Sequence, residues 1–154
     1  MMKLCCKVLQ VLQGKTLVTA ESCTGGGIGS ALTAVPGSSK VYKGGVISYT
    51  NAVKMQLLDV PAEILEQYGA VSASVAKAMA TGVRKSLDAD VAVSVTGLAG
   101  PGGDDHGNPV GTVFVGYADK NLCLTKRFLF SGDREQIRKQ AIEAALLLVL
   151  EYNA

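Results

Sequence analysis

The sequence is poor in aromatic residues and in histidine, and both shortages limit what the protein can be. Its 154 residues include no tryptophan, three phenylalanines and five tyrosines, so we expect a core of mostly aliphatic side chains. Any Ser-His-Asp triad has only His106 as its base, because the chain has one histidine. We interpret His106 as a solvent-exposed loop residue, since Asp104, Asp105 and Gly107 surround it.

Strong net charge and long hydrophobic runs are also missing. The 15 basic and 13 acidic residues nearly cancel, and no basic cluster alternates with aromatic residues, so we expect no nucleic-acid partner. The longest apolar stretch, Ala144 to Leu150, is far shorter than the roughly 20 residues that span a bilayer. Residues 1–12 look like an amphipathic helix without the cleavage site of a signal peptide. We therefore expect a cytoplasmic protein that does not engage a membrane.

The four cysteines form no C-x-x-C pair, and Cys5 and Cys6 are adjacent. This spacing excludes a zinc cluster and a disulfide framework, and reduced thiols in a cytoplasm are the simplest interpretation. The group Asp104, Asp105 and His106 lacks the spacing of a known magnesium or calcium loop. We predict no metal site.

Hydrophobic periodicity predicts a single α/β domain over residues 1–154, with a mixed sheet flanked by helices. Five strands are predicted, over Lys15–Ala20, Val41–Tyr49, Asp90–Thr96, Val110–Tyr117 and Leu122–Phe130. Six helices are predicted. The first two lie near the N-terminus and after the first glycine cluster, and the next two cover Asn51–Leu58, with Asn51 as its cap, and Pro61–Tyr68. The fifth follows a cap near Ser72 or Ser74, and the last begins at a capping box formed by Asp133 and Gln136. The pattern does not fix the order of the strands.

The last predicted helix ends almost entirely apolar, from Leu146 to Leu150. Such an end is either deeply buried or part of a subunit interface. We expect a homo-oligomer.

Two glycine-rich segments follow predicted strands. Ser22 to Gly27 also precedes a helix, where backbone N–H groups could hold a phosphate or an oxyanion. It is neither a Walker loop nor a dinucleotide fingerprint, and a tight turn without function is the alternative. The second segment, Thr96 to Gly103, would let a substrate approach the backbone closely. Its length favours a binding loop over a mobile surface excursion.

Ser22 lies where a strand should end, a usual place for a nucleophile. Its candidate bases are Lys54, Lys43 and Glu21, and a lysine can serve if burial lowers its pKa. Glu21 is otherwise simply a surface carboxylate near a helix start. A rival nucleophile is Cys23, acting with Glu21 and Lys54, but we prefer Cys23 as a small buried residue.

Arg134 and Arg138 are four residues apart and share one face of the last predicted helix. Together they could clamp a phosphate, or they could form an ordinary solvated face. Tyr49, taken alone, is more often a packed aromatic residue.

Several segments, in order along nearly the whole chain, resemble the family of the C-terminal domain of competence/damage-inducible protein CinA. The matching segments are Thr19–Gly26, Pro36–Ser39, Gly44–Asn51 with Lys54, Gly69–Ser72, Thr96–Gly103, Pro109–Val113, and Phe130–Arg134 with Arg138. The resemblance implies the fold of that domain and a nicotinamide-nucleotide amidase, which converts nicotinamide mononucleotide and water to nicotinate mononucleotide and ammonia. Larger relatives carry an extra N-terminal domain, and we expect this chain to be a stand-alone form.

The resemblance supports Ser22 as nucleophile and places Tyr49 and Lys54 in the site. In the mechanism that we expect, neutral Lys54 takes the proton of Ser22, either directly or relayed through Tyr49, and the N–H groups of the turn from Thr24 to Gly26 stabilise the oxyanion. The sequence does not settle which of Lys54 and Tyr49 is the immediate base. No metal or organic cofactor is required. The residues expected to bind the nucleotide are Glu21, Thr24, Gly25, Gly26, Thr96, Gly97, Gly100 and Arg134.

One position departs from the family pattern. Relatives usually have lysine before the Pro-Val-Gly segment, where this chain has Asn108. Loss of that charge would weaken binding of a phosphate. The departure supports an alternative function, a catalytically silent paralogue that binds nucleotides or partner proteins.

Overall fold

A mixed five-stranded sheet forms the centre of the protein, in a computed structural model that describes residues 1–154. The strands are β1 (Leu17–Glu21), β2 (Tyr42–Ile47), β3 (Val91–Gly97), β4 (Thr112–Ala118) and β5 (Cys123–Leu129). Their order across the sheet is β2-β1-β3-β4-β5. β1 runs parallel to β2 and β3, whereas β3 with β4 and β4 with β5 are antiparallel pairs. The predicted mixed sheet and its five strands are confirmed.

Six α-helices flank the sheet: α1 (Met2–Val11), α2 (Gly27–Thr33), α3 (Asn51–Leu58), α4 (Ala62–Tyr68), α5 (Ala73–Ser86) and α6 (Arg134–Glu151). The hydroxyl of Ser72 caps α5, and Asp133 with Gln136 forms the predicted capping box of α6. The prediction for α3 is wrong by one residue, because Thr50 rather than Asn51 accepts the N–H of Val53.

The helices form two layers because the inner strands alternate their side chains between two apolar clusters. Leu17 of β1 and Val93 of β3 belong to the cluster packed against α1, α2 and α6. Val18 of β1 and Ala92 of β3 belong to the cluster with α3, α4 and α5. Parallel strands covered on both faces are buried throughout, as β1 is.

The three parallel strands end at one edge of the sheet, and their carboxyl ends position the predicted site. Ser22 follows β1, Tyr49 lies two residues after β2, and Gly97 ends β3. Ligands of open α/β sheets bind in the crevice beyond such strand ends. The topology therefore brings the predicted segments to one place.

The apolar end of α6 is largely explained by burial within the chain itself. Leu146, Leu148 and Val149 are buried, and Leu147 is 49% exposed. The expected homo-oligomer stays a prediction. None of the helices is both long and apolar enough to cross a membrane.

Candidate active site

The turn after β1 presents Ser22 together with unused backbone donors. The N–H of Gly25 donates to the carbonyl of Ser22 at 3.1 Å, which closes the turn. Gly25 and Gly26 have φ angles of 58° and 96°, a left-handed conformation that glycine adopts without a Cβ penalty. Two donors of the turn, the N–H groups of Thr24 and Gly26, therefore have no partner within the protein.

Glu21 holds this turn from the sheet side. The expectation of a surface carboxylate is wrong, since Glu21 is only 2% exposed. Its carboxylate accepts the hydroxyl of Thr24 at 2.7 Å and the N–H groups of Ile28 and Gly29 at 2.9 and 3.1 Å. A negative charge at the start of α2 is favourable there. Glu21 points to the helix start and does not line the cleft described below.

Arg138 holds the same turn from α6. Its Nε donates to the carbonyl of Cys23 at 3.0 Å, and its Nη2 donates to the carbonyl of Thr24 at 3.1 Å. The sequence offers two alternatives for Arg138, a phosphate ligand or a solvated side chain, and both are wrong. Arg138 binds the backbone that carries the nucleophile.

Lys54, the fourth residue of α3, reaches Ser22 directly. Its Nζ lies 3.0 Å from Ser22 Oγ and donates to the carbonyl oxygens of Ser48 at 2.7 Å and Tyr49 at 3.3 Å. The side chain is 1% exposed and has no carboxylate partner, since Lys126–Glu151 is the only ion pair of the protein. Burial lowers the pKa of Lys54 to about 8. Near that pH, much of the population carries a neutral amine.

The contacts of Lys54 suit both protonation states of its amine. A neutral amine has two N–H groups and one lone pair. As an ammonium, Lys54 donates one N–H group to each of the three oxygens, Ser22 Oγ and the carbonyls of Ser48 and Tyr49. As a neutral amine, it can keep its two N–H groups on the carbonyls and turn its lone pair to the hydroxyl proton of Ser22. The arrangement can therefore deprotonate a serine without histidine.

Tyr49 stands beside this pair and not between its members. Its side chain is 56% exposed, and its hydroxyl accepts a hydrogen bond from Arg134 Nη2 at 3.0 Å. Of the two routes that the sequence leaves open, the geometry favours the direct one, because Lys54 contacts Ser22 without an intermediary. Tyr49 lines the cleft.

A cleft of about 480 Å³ opens next to Ser22. Of the predicted site residues, seven line it: Ser22, Tyr49, Lys54, Thr96, Gly97, Gly100 and Arg134. Four do not: Glu21, Thr24, Gly25 and Gly26. The lining residues Leu98, Ala99, Pro101 and Gly102 lie in the segment predicted as a binding loop, whereas sequence reasoning missed Ala70 and Val71. An apolar side chain does not by itself indicate a binding site. Only its position within a segment that matches the family could have identified such a residue as part of the cleft.

Arg134 supplies the permanent positive charge at the cleft. Its Nη1 donates to the carbonyl of Gly100 at 2.6 Å, while its Nη2 reaches Tyr49. The guanidinium thus joins the glycine-rich loop to the segment after β2. A guanidinium has five N–H donors, so further donors remain for an anionic ligand.

Thr96 is predicted to bind the substrate, but its hydroxyl is already bonded within the protein. It is buried at the end of β3, and its hydroxyl donates to the carbonyl of Ala70 at 2.7 Å. This bond ties β3 to the segment before α5, so Thr96 shapes the cleft wall.

The long loop between β3 and β4 is also hydrogen-bonded to the segment before α5. Asn108 Nδ2 donates to the carbonyl of Val71 at 3.1 Å and to Asp104 Oδ2 at 2.8 Å. His106 is exposed, as predicted, and its ring covers Gly69, where an added Cβ would lie 2.7 Å from Nδ1. The residue that departs from the family pattern therefore makes an uncharged contact with the cleft wall.

The other candidates of the sequence lie differently. Lys43 is exposed and donates to the carbonyl of Asp88, so it is not a base for Ser22. Cys23 lines the cleft but is 6% exposed, and burial raises the pKa of its thiol to about 11. No group of three or more histidine, cysteine, aspartate or glutamate side chains could hold a metal ion.

Fold and site together define an α/β protein with a buried serine–lysine pair beyond the ends of parallel strands. The family model of the CinA C-terminal domain matches residues 2–153, and the chain belongs to this family. It is 57% identical over 129 residues to a CinA-like protein of Parasynechococcus marenigrum, covering 82% of this chain and 30% of that protein. A CinA-like protein of Geotalea uraniireducens is 51% identical over 125 residues, with 81% and 30% covered. The chain spans about a third of the length of the curated relatives it matches.

Solved structures have the same fold. A CinA superfamily protein from Klebsiella pneumoniae matches with a TM-score of 0.94 and 36% identity, covering 97% of this chain and 95% of that one. The competence/damage inducible protein CihA from Agrobacterium tumefaciens matches with a TM-score of 0.96 and 37% identity, covering 99% and 95%. These likenesses confirm the predicted fold class and family.

Proposed function

We propose that the protein hydrolyses the carboxamide of nicotinamide mononucleotide to nicotinate mononucleotide and ammonia through an acyl-enzyme on Ser22. The observation that carries the proposal is the buried amine of Lys54, which lies 3.0 Å from Ser22 Oγ without a carboxylate to hold its proton. Resemblance to the amidase family supports the choice of substrate. The reaction requires neither a metal nor a cofactor, because the pair itself supplies nucleophile and base.

Ser22 and Lys54 regain their starting protonation states within one turnover. Neutral Lys54 takes the Ser22 proton as Oγ bonds to the carboxamide carbon, and the free N–H groups of Thr24 and Gly26 stabilise the oxyanion, each by about 3 kcal/mol. The tetrahedral adduct breaks its C–N bond, and the Lys54 ammonium gives its proton to the leaving ammonia. Water then attacks the ester, with Lys54 again the base, and the proton passes back to Ser22 as the acid leaves.

The remaining cleft fits the nucleotide that carries the carboxamide. The half-exposed ring of Tyr49 offers a flat apolar surface to a pyridine ring. Arg134 offers positive charge to a phosphate, and the loop from Gly97 to Gly102 approaches the ligand with little side-chain bulk. A small-molecule nucleotide is therefore the partner that we propose.

The test measures ammonia and nicotinate mononucleotide released from nicotinamide mononucleotide without added metal. We expect equal amounts of both products from the wild-type protein. Ser22→Ala and Lys54→Met should each lose at least about 10³-fold in rate, since nucleophile and base act as a unit. Lys43→Met removes a lysine that lies outside the site and should retain the wild-type rate.

Two results would contradict the proposal. Ammonia release that survives in Ser22→Ala would remove Ser22 from the reaction. Binding of the nucleotide without release by the folded wild-type protein would instead favour the catalytically silent nucleotide-binding module.

A further inference from the structure

Two charged side chains from different elements hold the turn that presents Ser22. Glu21 of β1 accepts hydrogen bonds from Thr24 and the start of α2. Arg138 of α6 donates to the carbonyls of Cys23 and Thr24, more than 100 residues away along the chain. Arg138 does not line the cleft, so the proposed mechanism gives it no contact with substrate.

The carbonyl that Arg138 Nε binds belongs to the peptide unit between Cys23 and Thr24. A peptide unit is planar and trans, so its N–H points opposite to its C=O. A guanidinium that fixes the carbonyl of Cys23 therefore fixes the direction of the Thr24 N–H. That N–H is one of the turn's donors without a partner in the protein.

The second bond of Arg138 acts on the next peptide unit. The carbonyl of Thr24 accepts from Arg138 Nη2, and the N–H of the same unit, on Gly25, donates back to the carbonyl of Ser22. Both peptide units after Cys23 are thus held by one guanidinium. Hydrogen bonds in series also polarise one another, which strengthens the Thr24 N–H as a donor.

We propose that Arg138 is a positioning residue that aims and polarises the Thr24 N–H at the oxyanion formed on Ser22. The inference rests on the proposed acyl transfer at Ser22, although not on the identity of the amide. Its neighbour on the same helix face has another role: Arg134 contacts the loop carbonyl of Gly100 and the Tyr49 hydroxyl. Arg138 should therefore act on the chemical step, and Arg134 on binding.

A fluorophosphonate probe tests this role without any nucleotide. Ser22 Oγ bonds to phosphorus, the P–F bond breaks, fluoride leaves and Lys54 takes the hydroxyl proton. The phosphoryl oxygen occupies the place of the oxyanion. Intact-protein mass spectrometry gives the labelling rate for wild type, Arg138→Ala, Arg138→Lys and the control Lys139→Met, which removes an exposed charge from the same helix.

We expect Arg138→Ala to label about 10²-fold more slowly than wild type, the effect of losing one oxyanion donor. The labelling rate of Arg138→Lys should lie between those of wild type and Arg138→Ala. A lysine keeps the positive charge but lacks the planar guanidinium that donates to both carbonyls. Lys139→Met should label at the wild-type rate. Millimolar guanidinium should raise the rate of Arg138→Ala and leave wild type unchanged, a rescue that a general loss of packing would not show.

Melting temperatures and far-ultraviolet circular dichroism identify which variants are folded at the labelling temperature. A folded Arg138→Ala that labels as fast as wild type would overturn the proposal, and so would the absence of guanidinium rescue. If Arg138→Ala does not fold, wild-type labelling by Arg138→Lys would overturn it equally. A wild-type protein that labels at Ser22 but releases no ammonia from the mononucleotide would contradict only the proposed substrate.

Discussion

The chemistry of Lys54 gives the proposed reaction a defined pH dependence. Its amine must be neutral to accept the Ser22 proton, and burial lowers its pKa to about 8. We therefore expect kcat/KM for ammonia release to rise about tenfold per pH unit below this pKa and to level off above it. Initial rates measured from about pH 6 to about pH 10 check the profile. Activity that falls as the pH passes upward through about 8 would mean that protonated Lys54 is the active form.

Cys23 differs from Ser22 although the two are adjacent. Burial raises the pKa of its thiol to about 11, so at neutral pH it is protonated and a poor nucleophile. We expect Cys23→Ser to keep ammonia release within about threefold of wild type, and iodoacetamide to leave activity unchanged. Exposed Cys6 provides the internal control, since it should be alkylated in the same sample. Loss of activity in the folded Cys23→Ser variant would favour the rival cysteine mechanism.

Residues whose partners are backbone groups were the hardest to assign from sequence. Ser22 and Lys54 could be predicted as a pair, because their side chains carry recognisable chemistry and lie in segments that match the family. The sequence predicts Glu21 at the surface, yet its carboxylate oxygens accept N–H groups at the start of α2. Arg138 was expected to face a phosphate or solvent, yet it binds carbonyls of a turn far away in sequence. Every residue has the same backbone groups, so the sequence does not indicate which backbone group a side chain will bind.

At the scale of elements, the long loop between β3 and β4 forms one wall of the cleft and is fastened at its tip. Asn108 links Asp104 to the carbonyl of Val71, and Val71 itself lines the cleft. From the sequence, Asn108 is only a lost charge. The structure shows a side chain that connects two walls of the cleft.

We expect Asn108→Ala to raise the KM for the nucleotide by about threefold to tenfold, because losing the neutral hydrogen bond to the Val71 carbonyl costs about 1 kcal/mol. The change in kcat should be small, since Asn108 touches neither Ser22 nor Lys54. Asp105→Ala is the control, because Asp105 is exposed beside the same bonds. Steady-state kinetics separate the two constants, and a variant with lower kcat and unchanged KM would show that the loop acts on the chemical step.

Local signals predicted most elements, whereas their assembly needed the structure. The capping box of Asp133 and Gln136 and the hydroxyl cap of Ser72 mark helix starts by short-range rules, and both are present. Strand order depends on pairing between distant segments, which alternation along one segment does not encode. The order β2-β1-β3 is what brings three strand ends to one cleft.

For the whole molecule, the buried amine of Lys54 links folding to pH. Its pKa is about 8 when folded and 10.5 in its ordinary state, so between these values the unfolded chain binds more protons. The free energy of unfolding should therefore rise with pH across this window, by about 3 kcal/mol in total. Below the folded pKa the contribution is absent, because both states carry the proton.

Urea unfolding of wild type and Lys54→Met measures this linkage. Subtracting the two curves removes the titrations that both proteins share. We expect the stability of wild type relative to Lys54→Met to be constant below about pH 7 and to increase toward about pH 10.5. A difference that does not change across this range would mean that the amine has an ordinary pKa in the folded protein.

The central claim is that Ser22 carries the acyl group, and hydroxylamine partitioning tests it most directly. Wild type and Ser22→Ala react with nicotinamide mononucleotide at increasing hydroxylamine concentrations, and ammonia, nicotinate mononucleotide and the corresponding hydroxamate are all measured. We predict that hydroxamate replaces the acid as hydroxylamine increases, that the two together equal the ammonia released, and that Ser22→Ala forms neither. Wild-type turnover that gives only the acid at every hydroxylamine concentration would show that water attacks the amide directly, and would contradict the acyl-enzyme.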